Sequence, residues 1–93
     1  VEIHLGHNYL ASSFLSPLIN RRTDGFGGSL ANRAKVARGL VMAVRRAVDQ
    51  GPRQIAVTAK LNMSDGVRGG ISNEESLITA RWLEEDGGLD AIE

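Results

Sequence analysis

Cysteine is absent from this 93-residue chain. That removes disulfides, thiolate metal ligands and thiol nucleophiles together, and it agrees with a reducing compartment. A surplus of either charge is also missing, since 11 Lys and Arg face 11 Asp and Glu. With that balance the sequence has no electrostatic footprint for nucleic acid or for an anionic membrane. The basic pairs Arg21-Arg22 and Arg45-Arg46 read as solvated or locally paired charges. No apolar run approaches the roughly 20 residues that a membrane span requires, and no signal-peptide pattern appears. The expectation is a soluble cytoplasmic protein with no nucleic-acid and no membrane partner. An initiating Met and a polar lead-in are lacking too. Val1 to His4 opens on strand-like residues and Leu89 to Glu93 closes on another such run, so the chain is expected to be an internal piece of a larger domain.

What is present is an alternation of elements. A strand at 1–4 is followed by a loop at 5–28 rich in turn residues, among them Gly6, Asn8, Pro17, Asn20, Asp24 and Gly25. Only Tyr9 to Leu15 has room for a short helical turn there, ended before Pro17. A connection this long inside a compact unit tends to be functional. Ser29 is placed to cap a helix at 29–50. In it Leu30, Ala34, Ala37, Val41, Val44 and Val48 recur in steps of four and three, the spacing of one buried face. Gly51-Pro52 ends it. A β-compatible run at 54–61 reads as a second strand. Ser72-Asn73-Glu74-Glu75 matches a capping box opening a helix at 72–86, stopped by Gly87-Gly88, and a third strand occupies 89–93.

Strands alternating with helices imply an α/β fold with a parallel sheet. An open doubly wound sheet and part of a (β/α)₈ barrel both satisfy the pattern. In either, polar residues at the carboxyl ends of the strands face the ligand. Those are His4, with His7 and Tyr9 beyond it, and Lys60, with Asn62 and Asp65 beyond it. Two imidazoles and a phenol offer donors for a developing oxyanion and a proton source. Lys60 offers a fixed positive charge toward a ligand that becomes anionic. His4-x-x-His7 also has the spacing of a zinc-binding pair, although no third His and no Cys accompanies it.

The string from His4 to Arg33, HLGHNYLASSFLSPLINRRTDGFGGSLANR, resembles the old yellow enzyme family. The likeness lies in the His-x-x-His-x-Tyr-Leu opening, the Phe-Leu-Ser-Pro turn, the Asn-Arg-Arg-Thr-Asp-x-Phe-Gly-Gly-Ser loop and the following Asn-Arg. AKLNMSD and LEEDGGLDAIE fit the same family, so the resemblance spans essentially the whole chain. It implies part of a (β/α)₈ TIM barrel, about strands four to six with two intervening helices, holding FMN at the carboxyl ends of its strands. The activity it implies is reduction of activated alkenes or related acceptors, with NAD(P)H reducing the flavin and the flavin passing on hydride. By the same resemblance His4 and His7 bind the substrate's electron-withdrawing oxygen, Tyr9 is the catalytic proton donor, and Lys60 lies at the flavin's pyrimidine edge. No metal is implied.

Two departures from the family pattern matter. Asn8 stands where many members have Gly, and Asn tolerates the left-handed backbone, so the turn is expected to survive. Lys60 stands where many have Arg, which keeps the charge but loses the bidentate fork. The Gly-rich loop with Arg21, Arg22, Asp24 and Arg33 is expected to be tied internally and to the next helix, not to be catalytic. Phe14 and Trp82 are expected to pack. The partners expected are a small electrophilic acceptor and the rest of the barrel, with homo-oligomer formation left open. Residues 1–93 alone are expected to be inactive. Two other readings stand beside the flavoenzyme: a non-catalytic truncated barrel segment, and a metal-dependent barrel hydrolase using His4 and His7.

Overall fold

In the computed structural model, which describes residues 1–93, β1 (Glu2–Leu5), β2 (Thr58–Leu61) and β3 (Ala91–Ile92) form one parallel sheet in the order β1-β2-β3. Glu2, Ile3, His4 and Leu5 lie opposite Thr58, Ala59, Lys60 and Leu61, and Thr58 and Ala59 lie opposite Ala91 and Ile92. The two-residue period of a strand then sorts the side chains. Ile3, Leu5, Ala59 and Leu61 are buried on one face. Glu2, His4, Thr58 and Lys60 belong to the other, which no helix covers closely enough to bury them.

The apolar face is covered by α3 (Lys35–Asp49) and α4 (Asn73–Glu85), with short helices α1 (Leu10–Leu15) and α2 (Leu30–Arg33) closing one end. Val41 from α3 and Leu83 from α4 are fully buried with Leu5 and Val57 of the sheet side, and Leu15 of α1 joins the same cluster. At the start of α4 both halves of the capping box form: Glu75 N–H donates to Ser72 Oγ at 3.2 Å, and Ser72 N–H donates to Glu75 Oε2 at 3.3 Å. The helix stops at Gly87, which takes the left-handed φ of 72°. Gly88 is needed for a different reason. A Cβ there would meet Val41 Cγ1 at 2.6 Å, so only glycine lets this turn lie against α3.

Several boundaries differ from those the sequence suggests. β1 runs one residue further, because Leu5 still pairs with Leu61. The loop at 5–28 holds α1, in the one stretch with room for it. The helix expected at 29–50 is divided at Ala34, where ψ is −11° instead of the helical value of about −42°. The division follows Arg33, whose side chain is drawn away from the helix toward Leu15, Gly28 and Glu75. β2 begins at Thr58, not at 54, because Val57 N–H donates to the Asp90 carboxylate at 2.8 Å in place of a strand carbonyl. The same contact holds Asp90 in a turn and delays β3 to Ala91, although ladder bonds run on to Glu93.

α3 and α4 are joined by a fork. Arg38 Nε and Nη2 each donate to Asp86 at 2.7 Å, and the guanidinium lies 5.5 Å from the centre of the Trp82 ring. The bond from Arg38 holds the Asp86 carboxyl below the usual aspartate range, against a smaller opposing effect of burial. A carboxyl with a depressed folded pKa adds stability above its unfolded pKa of about 3.9, and that stability is lost as pH falls toward the folded value. We expect Asp86→Asn to lower the denaturation midpoint at pH 7 and to flatten its decline between pH 5 and pH 2. The decline persists in part, because Asp24 is held low by its bond from Arg22 and Asp90 by the Val57 N–H and then by Arg45. An unchanged pH slope in Asp86→Asn would show that the fork contributes nothing.

Candidate active site

His4 leaves β1 on the uncovered face, and the chain then turns back on itself so that His7 and Tyr9 return to it. The His4 and His7 rings lie 5.0 Å apart, edge to face at 87°, and the His4 and Tyr9 rings lie 5.2 Å apart at 58°. Both distances fall within the range of direct aromatic contact. Three of the four residues singled out in the sequence therefore form one group, with His4 in the middle. The fourth, Lys60, is the direct register partner of His4 on β2 and occupies the same face. All three rings belong to exposed residues, and Tyr9 keeps 64% of its surface open.

The turn that gathers them is fixed by backbone contacts. Tyr9 N–H donates to Gly6 O at 3.3 Å, and the single proton of the buried Ser12 hydroxyl is shared between Gly6 O at 2.8 Å and Tyr9 O at 3.1 Å. Asn8 adopts φ 57°, the left-handed conformation anticipated where relatives carry Gly, and His7 adopts it too at φ 56°. The second was not read from the sequence: His enters that region more often than most residues but still uncommonly, and nothing local marks this one. His7 N–H donates to Asn62 Oδ1 at 3.0 Å.

That contact corrects one reading of the sequence. Asn62 and Asp65 follow Lys60 at the carboxyl end of β2, yet neither simply faces a ligand. Asn62 ties the His7 turn to β2. Asp65 points to the end of α1, where Oδ2 accepts from Ser16 Oγ at 2.5 Å and from Ile71 N–H at 2.9 Å.

Lys60 Nζ lies 3.2 Å from Glu93 Oε1. The hydrogen bond from Lys60, and then its charge, hold the Glu93 carboxyl below the usual glutamate range. With the Glu93 side chain 66% exposed, the pair is a weak surface contact, and the ammonium is still able to meet a ligand on this face. The donor set is two imidazoles, a phenol and an ammonium on one open surface. That suits a ligand with carbonyl oxygens and a group that gains negative charge. His, Asp and Glu side chains come together in no group of three that could hold a metal ion.

The Gly-rich loop is tied within itself and to its surroundings. Asn20 Nδ2 donates to Phe14 O and Phe26 O at 2.7 Å, Arg22 pairs with Asp24, and Phe26 N–H donates to Asp24 Oδ1 at 3.0 Å. Arg33 reaches across to α4. Trp82 packs beside the core and Phe14 lies under Arg22, so neither joins the ring cluster.

Residues 1–89 match the model of the family described as NADH:flavin oxidoreductase / NADH oxidase. The chain belongs to this family. A 4,4'-dithiodibutanoate disulfide reductase of Rhodococcus erythropolis is 53% identical over the whole chain, which corresponds to 22% of that protein. An NADPH dehydrogenase of Listeria monocytogenes is 39% identical over 94% of the chain and 24% of its own length. Among solved structures, a 2-naphthoyl-CoA reductase in complex with 2-naphthoyl-CoA superposes with a TM-score of 0.86 at 33% identity, over 99% of this chain and 14% of that one. The chain thus spans about a quarter of the length of the curated relatives it matches. At the level of the family the chemistry is that of a flavin-dependent oxidoreductase using NADH or NADPH. No helix is long and apolar enough to cross a membrane.

Proposed function

We propose that residues 1–93 supply the substrate side and part of the flavin side of an FMN-dependent NAD(P)H oxidoreductase that reduces activated alkenes or related acceptors. The observation that carries this is the convergence of His7 and Tyr9 on His4, at 5.0 and 5.2 Å, beside a strand partner, Lys60, on the same open face. When bound, FMN supplies hydride that it has taken from NAD(P)H. His4 and His7 donate hydrogen bonds to the acceptor's carbonyl oxygen and draw electron density from its double bond. Tyr9 gives its phenolic proton to the α carbon as the β carbon receives hydride, and recovers a proton from the solvent to which it is open. Lys60 would help hold the flavin, and its charge would offset the negative charge that FMN gains on reduction.

The rest of the protein completes a (β/α)₈ barrel around this segment. Support comes from the uncovered polar face, which suits a barrel interior, and from a groove of about 510 Å³ beside β3, lined in part by Leu77, Ala80, Leu89 and Ile92. The next strand and helix of the barrel fill that groove. Three strands leave two open edges, so residues 1–93 alone neither hold FMN nor turn over. The use of NAD(P)H supports a cytoplasmic setting.

The acceptor is a conjugated carbonyl compound or, given the name of the Rhodococcus relative, a disulfide. The deciding experiment loads the complete protein with FMN, bleaches it with NADPH without oxygen, and adds each acceptor in turn. Reoxidation by either is expected, with no saturable flavin uptake by residues 1–93. Lys60→Met is expected to lower the flavin's midpoint potential, because the reduced anion loses the positive charge that Lys60 supplies. A colourless complete protein, or an unchanged potential in Lys60→Met, would count against the respective assignment.

A further inference from the structure

We infer that Asn62 is a positioning residue for His7, setting where the imidazole meets the acceptor's oxygen. The inference rests on the substrate-binding role of His7 proposed above. Asn62 accepts the His7 backbone N–H at 3.0 Å across 55 residues of sequence. That N–H belongs to a non-glycine residue at φ 56°, followed by a second at φ 57°. A left-handed backbone at such residues persists only where its surroundings hold it. Asn62 grips this turn from the end of β2, as Ser12 grips it from α1. The fit is close: a Cβ on Gly6 would lie 2.8 Å from Asn62 Oδ1 and 3.5 Å from His4 Cε1, so the absent side chain at Gly6 is what lets the amide in beside the His4 ring.

Asn62 also lies two residues after Lys60, just past the end of β2, and Lys60 is the register partner of His4. One strand end thereby fixes both the ammonium on the flavin side and the turn that carries the substrate-side imidazole. The bond aligns the two halves of the site, a task that small displacements defeat. A misplacement of about 1 Å in such a site costs on the order of a hundredfold in rate.

The test uses the complete FMN-loaded protein with cyclohex-2-enone as acceptor. Asn62→Leu, similar in size but without an acceptor, should lower kcat by about ten- to a hundredfold with little change in KM. Asn62→Asp restores an acceptor oxygen and should recover most of that loss. In Asn62→Leu the His7 amide should exchange with deuterium at least about tenfold faster, since its hydrogen bond is gone. Residues that act as a unit are not additive, so His7→Ala with Asn62→Leu should be no slower than His7→Ala alone. A slow His7→Ala beside a normal Asn62→Leu would overturn the inference and leave the role of His7 standing. Fully additive losses would overturn it as well. Normal turnover in His7→Ala would remove His7 from the reaction and the inference with it. Should Asn62→Leu not fold, Asn62→Asp decides: it supports the inference if the slow His7 exchange is kept with most of kcat, and overturns it if the slow exchange is kept while kcat is lost.

Discussion

Tyr9→Phe should lower turnover of a conjugated alkene by about 10²–10⁴-fold, the usual contribution of a positioned general acid, while flavin reduction by NADPH proceeds as before. The substitution keeps the ring that contacts His4 at 5.2 Å and removes only the hydroxyl. The turn survives because Ser12 and Gly6 bond the Tyr9 backbone, not its phenol. The same variant separates the two acceptor classes. Hydride addition to an alkene leaves a carbanion-like centre that must gain a proton from a nearby donor. Cleavage of a disulfide releases a thiolate, which is stable in water near its ordinary pKa of about 8.5 and needs no such donor. A disulfide acceptor should therefore be turned over by Tyr9→Phe within about threefold of the unmodified rate, since the general-acid contribution is not in use. Stopped-flow measurement of the oxidative half-reaction with each acceptor checks this. If the alkene rate is unchanged, Tyr9 is not the proton donor.

That His4, His7, Tyr9 and Lys60 gather at neighbouring strand ends was legible because each announces itself over a short span. His4, His7 and Tyr9 lie within six positions at the end of a strand, and Lys60 breaks an otherwise β-compatible run. The strand period then puts His4 and Lys60 on one face, and the capping box at Ser72 is visible in four letters. What could not be read depends on side chains that meet across long separations. Asp90 takes the N–H of Val57 and shortens β2 and β3, but nothing near Val57 marks a partner 33 residues away. Asn62 was visible as a polar residue at a strand end, and the expectation that such residues face a ligand hid its bond to His7. The left-handed backbone at Asn8 was anticipated from the tolerance of Asn, whereas that at His7 follows from a contact that local propensity does not encode.

Glu75 illustrates the same division within one side chain, and it leads to the largest stability effect expected here. Oε2 completes the capping box of α4, as its spacing from Ser72 indicates, while Oε1 accepts from Arg33 Nη2 at 2.6 Å, 42 residues away. The Arg33 side chain is only 5% exposed. Its Nε donates to Gly28 O at 3.0 Å and its Nη1 donates to Leu15 O. One guanidinium therefore joins the Gly-rich loop, the end of α1 and the start of α4. Arg33→Met keeps an apolar stem of similar reach and leaves two carbonyls and a carboxylate without their donor. Breaking a buried pair costs about 3–5 kcal/mol. Since the Glu75 side chain is 28% exposed and is able to take up water, a value near about 3 kcal/mol is expected, read from the shift in denaturant midpoint. Arg33→Lys should fall between, because one ammonium cannot reproduce a fork that serves three acceptors. A change below about 1 kcal/mol in Arg33→Met, the scale of an ordinary exposed ion pair, would show that the buried guanidinium is not the joint. The consequence extends to the site. Leu15 O ends the helix whose Ser12 clamps Gly6 and Tyr9, so loss of Arg33 should also loosen the Tyr9 turn. Faster amide exchange at Tyr9 in Arg33→Met, under conditions where the protein remains folded, would register that coupling.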